Sequence, residues 1–101
     1  MLLYNVTVKI DKEVESEWLE WMQTKHIPDV LNTGQFTQSR ICRLLEQPED
    51  EDATYIIQYQ CEGQEKYNYY TEMFAPALRD EFNQRYKGKF VAFRTLMEVV
   101  K

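Results

Sequence analysis

Histidine occurs once in this sequence, cysteine twice, and glycine and proline three times each among 101 residues. Each scarcity excludes a class of site. With His26 as the sole imidazole and no Cys-x-x-Cys pair, a zinc centre has no ligand set, and neither a metal nor another cofactor is expected. Cys42 and Cys61 are expected as small core residues of a reducing compartment rather than as a disulfide, although a hairpin that closed symmetrically would make them cross-strand neighbours. No phosphate-cradling glycine loop, nucleophile elbow or Ser-His-Asp order is present. Cations are also short: 12 Lys and Arg against 17 Asp and Glu give a net charge of −5. They are scattered, which argues against nucleic acid, because phosphates are gripped by clustered Lys and Arg. No apolar run approaches the ~20 residues of a membrane span, so no membrane partner is expected. The opening MLLYNVTVKID lacks a basic segment and a small-residue cleavage site; it does not read as a signal peptide, and the expected location is cytoplasmic.

What is present is a core. Hydrophobic residues make up 44% and aromatics 14% of the chain, which excludes disorder, and 101 residues suffice for a single domain over 1–101. Leu2 to Ile10 alternates, with Tyr4, Val6, Val8 and Ile10 on one face, the period of a strand. Asp11 can cap the helix that follows, and Glu13, Glu15 and Glu17 favour its N-terminal end. Val14, Trp18, Trp21 and Met22 share a helical face with His26 at its edge; Lys25 also lands inward, so either its stem snorkels or the helical phase slips. Pro28 lacks an N–H and collides with the carbonyl of Thr24, so the helix is expected to end or kink near His26 before a short turn stopped by Gly34. Phe36 to Leu45 reads as an edge strand, Glu46 to Asp52 as an exposed acidic hairpin tip, and Ala53 to Cys61 as an alternating strand. From Gln64 a second helical stripe carries Tyr67, Tyr70, Phe74, Ala77, Leu78 and Phe82 and is broken by Pro76. Phe90 to Val100 is nearly continuous apolar, the mark of a strand buried on both faces.

The order β-α-β-β-α-β predicts an α+β, ferredoxin-like fold: an antiparallel four-stranded sheet in order 4-1-3-2 with two proline-broken helices on one face. Two helices cover one face only. The last strand therefore needs a second cover, for which a homodimer packed through the open sheet face is the economical source. Asn5, Thr7, Gln58 and Gln60 make part of that face polar and imply a wet interface or a lined cavity.

The strings YNVTV, EWLEWM, HIPDVL with TGQF, YIIQYQ, FAPALRDEF and KFVAFRTLMEV, in this order from end to end, resemble a family of small bacterial proteins classed as a domain of unknown function. The resemblance implies a dimeric α+β barrel and no assigned activity. More distantly, the layout is similar to the wider dimeric α+β barrel group, which includes antibiotic-biosynthesis-type cofactor-free monooxygenases, small isomerases, haem enzymes and effector-sensing domains. Membership implies a pocket more than a reaction.

Within that frame His26 suits proton transfer, its ordinary pKa lying near ~6.5. The plainer reading is a packed histidine bonded to a carbonyl freed at the break. Asp29 is near enough to orient the ring or simply starts the next turn. Trp18, Trp21, Met22, Tyr4, Tyr55, Tyr59 and Tyr70 either line an aromatic pocket or make up the core. Arg40 and Arg94 either grip a carboxylate or pair with acids at the dimer seam. Glu49 to Asp52 reads as a solvated turn rather than a calcium loop, since it lacks the alternation and the glycine. Haem on His26 stays open on one residue alone. Three functions follow. The first is a homodimer binding a small apolar or aromatic ligand between helix one and the sheet. The second is a cofactor-free monooxygenase or isomerase in which His26 moves a proton and Tyr4 or Tyr59 steadies an oxyanion. The third is a non-enzymatic protein-interaction scaffold that uses the acidic tip.

Overall fold

A computed structural model of the chain describes residues 1–48 and 51–101; Glu49 and Asp50, part of the acidic tip, lie outside the described residues. The strands are β1 (Leu2–Ile10), β2 (Gln38–Arg43), β3 (Ala53–Cys61) and β4 (Phe90–Glu98). The helices are α1 (Glu15–Trp21), α2 (Ile27–Leu31), α3 (Gln64–Met73) and α4 (Ala75–Arg85), with a π-helical turn over Met22–His26 joining α1 to α2. All strand pairs are antiparallel, in the order β2-β3-β1-β4, which is the expected sheet read from its other edge.

Alternation decides the register. Tyr4 lies opposite both Tyr59 and Leu96, and Val8 lies opposite Tyr55 and Ala92. One face of the sheet thus gathers Tyr4, Val8, Ile10, Tyr55, Ile57 and Tyr59 under the helices, all buried. β2 is shorter than its apolar pattern suggests, because Phe36 turns down into the core, stacked on Tyr4 and tilted against Tyr59, before the ladder begins. β4 stops at Glu98 rather than Val100, since its partner begins at Leu2 and Val99 N–H can only reach the Met1 carbonyl, at 2.9 Å. The second face of β4 is bare in the single chain: Val91 is 71% and Phe93 60% exposed. Burial of this strand on both sides therefore needs a cover from outside the chain.

The cysteines behave differently from one another. Cys61 is buried, but Cys42 is exposed, correcting the expectation that both fill the core. Cys42 lies opposite Ile56 and Cys61 opposite Leu2, so they are not cross-strand neighbours.

Neither helical layer is one regular helix. In the first, Pro28 offers no N–H to the carbonyl of Thr24, and the chain widens rather than stops: Ile27 N–H donates to the Met22 carbonyl, five residues back. The extra residue shifts the phase. Met22, His26, Ile27 and Val30 are buried, and Lys25 swings out to pair with Asp29 and with Glu81, 3.7 Å away. The turn after Leu31 closes on Gly34, whose φ of +80° is the left-handed conformation a side chain resists. In the second layer Phe74, at φ −117°, breaks the helix two residues before Pro76. That break puts Ala75 rather than Ala77 in the core. Asp11 caps the lead-in turn, accepting Glu13 N–H at 2.8 Å, and α1 itself begins only at Glu15.

Candidate functional site

The π turn places Met22 and His26 on the same side of the helical layer, facing the sheet. His26 is 9% exposed, stacked on Trp21 with centroids 5.0 Å apart and met edge-on by Phe82 at 5.4 Å. Its Nδ1 is buried without a hydrogen-bond partner, so the carbonyl bond of the plainer reading is not made through that nitrogen. Burial lowers the ring's pKa to about 4; Asp29 pulls the other way, and the positive charges of Lys25 and Arg94 add to the lowering. At neutral pH the imidazole is therefore uncharged and has no proton to give as an imidazolium.

Beneath His26 a cleft runs between the helices and strands β3, β1 and β4. It holds about 440 Å³ of unfilled space with its mouth included, but only about 20 Å³ of that is wide enough for the centre of a water. As it stands it is a slot for roughly one water, and a larger occupant must spread its walls. The sheet contributes Tyr4, Val6, Ile57, Tyr59 and, from β4, Phe90, Ala92 and Arg94. The helical layer contributes Met22, His26, Val30, Tyr70, Leu78, Arg79 and Phe82. No Asp or Glu lines it, although the chain is acidic overall.

The hydroxyls of Tyr4, Tyr59 and Tyr70 all belong to cleft-lining residues. Tyr4 Oη accepts a hydrogen bond from Arg79 Nη2 at 3.0 Å. Burial drives the Tyr59 hydroxyl far above the ordinary tyrosine range, helped by Tyr70 and Tyr4. Tyr70 is raised for the same reason, against the opposing charges of Arg79 and Arg94. Neither ionises under ordinary conditions. Phe36 packs edge-on against Tyr70 at 4.7 Å and fixes the far wall.

His26, Tyr4, Tyr59, Met22, Tyr70 and Arg94 thus come together at one cleft. Trp18, Trp21 and Tyr55 do not line it. Trp18 is wholly buried between Tyr55, 5.1 Å away, and Phe82, with Nε1 unpartnered. Trp21 backs His26 from outside and carries the Arg85 guanidinium on its ring at 5.3 Å. The Tyr55 hydroxyl turns to the rim, donating to Glu15 at 2.6 Å and accepting from Arg43 Nε at 3.2 Å. Arg40 sits opposite Gln58 on the open face, whereas Arg94 sits opposite Val6 on the helix-covered face, so the two arginines cannot share a carboxylate.

Arg79, Phe82 and Leu78 are cleft residues that pattern reading missed as a site. Phe82 and Leu78 stood out only as core. Arg79 follows Leu78 at the margin of the apolar stripe, where a snorkelling arginine looks the same as a functional one. Among the described residues no three His, Cys, Asp or Glu side chains converge as a metal would need, and no helix is long and apolar enough to cross a membrane.

Solved structures share this fold. An ethyl tert-butyl ether d (ethd) family protein from Bacillus halodurans superposes with a TM-score of 0.72 at 11% identity, over 98% of this chain and 100% of that one. A dimeric ferredoxin-like protein from an uncultured marine organism gives 0.71 at 12% identity, over 99% and 94%. A protein from Nitrosomonas europaea described as a putative antibiotic biosynthesis monooxygenase gives 0.68 at 8% identity, over 100% of both. At such identities the likeness is one of fold: ferredoxin-like α+β. No curated protein matches the chain. The sequence itself, over residues 1–100, matches the family described as a domain of unknown function, DUF4286, and the chain belongs to that family.

Proposed function

We propose that the protein is a homodimer, paired through its open sheet face, that binds a small, largely apolar or aromatic molecule in the cleft between the π turn and the sheet. One observation carries the reading. His26, Tyr4, Tyr59 and Tyr70, from four separate elements, converge on space the core leaves unfilled, and the buried Nδ1 of His26 has no hydrogen-bond partner. A buried polar atom without a partner is costly in a pure packing role, and a ligand that supplies the missing bond removes that cost. Pairing through the open face is supported by the bare apolar side of β4 and by the dimeric state of a structural neighbour.

Native mass spectrometry of freshly purified protein tests it directly. The expected spectrum is a dimer with a small adduct lost on denaturation. Ala92→Leu, which fills the slot from the sheet side, should retain the dimer and lose the adduct. An adduct-free wild type in which small aromatic fragments also leave the His26, Tyr59 and Tyr70 resonances unmoved would end the binding reading.

A cofactor-free monooxygenase or isomerase is the second reading. It is favoured by His26, uncharged at neutral pH and with its Nδ1 unpartnered, lining the same cleft as Tyr4, Tyr59 and Tyr70. There His26 accepts a proton, and Tyr59 or Tyr4 donates to the oxyanion that forms. His26→Ala and wild type assayed side by side on phenolic and lactone substrates should then differ by about a hundredfold or more, as expected for loss of a positioned base. Equal rates would leave binding alone.

A further inference from the structure

Resting on the binding reading above, we infer that the molecule taken up is an organic anion, a carboxylate whose head lies between Arg79 and Arg94 and whose apolar body lies against Met22, Ile57 and Leu78. The chain has more acids than bases, and most of its cations near the helices have found one: Arg43 pairs with Glu15, Arg85 with Glu17, and Lys25 with Asp29 and Glu81. Arg79 and Arg94 have no carboxylate partner among the described residues, and both line a cleft to which no Asp or Glu contributes. Their charges converge: both bear on Tyr70 and on Tyr67, and Arg94 also bears on His26.

Two further features ask for an acceptor. Arg79 Nε is buried with its N–H unpartnered, while its Nη2 is already committed to Tyr4. A partly buried guanidinium keeps its charge at any ordinary pH, so it needs an acceptor rather than deprotonation. The hydroxyls of Tyr59 and Tyr70 retain their protons, so each offers an O–H to an acceptor in the cleft. A carboxylate supplies two oxygens and several lone pairs, matches the fork of an arginine, and neutralises a positive charge that no side chain here balances. A neutral aromatic of the same shape would fill the slot and leave the guanidinium N–H unbonded.

The test pairs each acid with its amide: benzoate with benzamide, phenylacetate with phenylacetamide, hexanoate with hexanamide. Each is titrated into the wild-type protein and followed by amide-resolved NMR. Carboxylates are expected to bind at least about tenfold more tightly than their amides, consistent with the greater strength of hydrogen bonds between charged groups. Shifts should centre on Tyr4, Tyr70 and Ala92. Arg94→Met and Arg79→Met should each erase the preference while leaving amide affinities within about twofold. Arg94 is exposed and holds no hydrogen bond or ion pair among the described residues, so Arg94→Met carries the test even if Arg79→Met, which loses the bond to Tyr4, folds poorly. Equal affinity for acid and amide, or a preference untouched by Arg94→Met, overturns the anion and leaves the pocket standing. Shifts centred on Arg40 overturn it too. No binding by any of the six compounds counts against pocket and anion together.

Discussion

Phe93→Glu is expected to turn a dimer at micromolar concentration into a monomer while leaving the fold intact. Phe93, 60% exposed, shares the open face of β4 with Val91, 71% exposed, and Met97, 41% exposed, and none of the three contributes to the core beneath the helices. Full burial of a side chain this size is worth about 1.5–3 kcal/mol, and a two-fold axis applies each substitution twice. With 60% of each ring left to bury, losing both copies costs the dimer about 2–3.5 kcal/mol, a weakening of roughly thirtyfold to a few hundredfold. Placing two carboxylates in the seam adds desolvation on top. Sedimentation velocity across a concentration series reads the shift, with circular dichroism as the check on folding. Phe93→Leu, which keeps most of the apolar area, should remain dimeric. A wild type that sediments as a single chain at these concentrations would remove the homodimer, and a Phe93→Glu variant as tightly paired as wild type would move the seam elsewhere.

Legibility followed how completely a pattern is repeated. β3 runs from Ala53 to Cys61 as its alternation implies, because every second residue has the same burial requirement and a slip of one would expose them all. The sheet order followed from element order and from which strands are apolar. The π turn was legible as a conflict rather than as a structure. Lys25 fell on the buried face of an ideal helix, and Pro28 marked where that phase had to fail, but only coordinates show the widening that resolves both. At the second break the pattern named Ala77, whereas the break at Phe74 rotates Ala75 inward.

For the site, the sequence could say which aromatics are buried and not which of them meet. Trp18 and His26 belong to one helical layer, yet Trp18 packs between Tyr55 and Phe82 while His26 faces open space, a difference made by the inserted residue between them. Arg79 was silent because its role depends on a tyrosine hydroxyl 75 positions away.

Acid should unfold the wild type through His26 before the carboxylates have fully titrated. The ring's pKa in the folded chain is about 4, against an ordinary 6.5, because burial disfavours the imidazolium. Above about pH 6.5 the ring is neutral in both states and its contribution is fully present. As pH falls from there towards 4 the unfolded chain takes up a proton that the folded chain refuses, and stability drops by about 3 kcal/mol over that window. The charged groups around the ring set the size of the effect: Asp29, engaged by Lys25, opposes it, while Lys25 and Arg94 enlarge it. His26→Phe keeps an aromatic ring against Trp21 and Phe82 and removes the titration. Urea unfolding at pH 7 and pH 4.5 should therefore show a much steeper loss for wild type than for His26→Phe, and parallel losses would mean that the imidazole is not shielded as its surroundings imply. A carboxylate in the cleft would offset part of the positive field that Arg94 and Lys25 set up at the ring. With benzoate bound beside Arg94, the imidazolium gains a counter-charge, its pKa rises, and the gap between wild type and variant narrows as benzoate is added, so this acid-stability measurement also reads the occupant of the cleft.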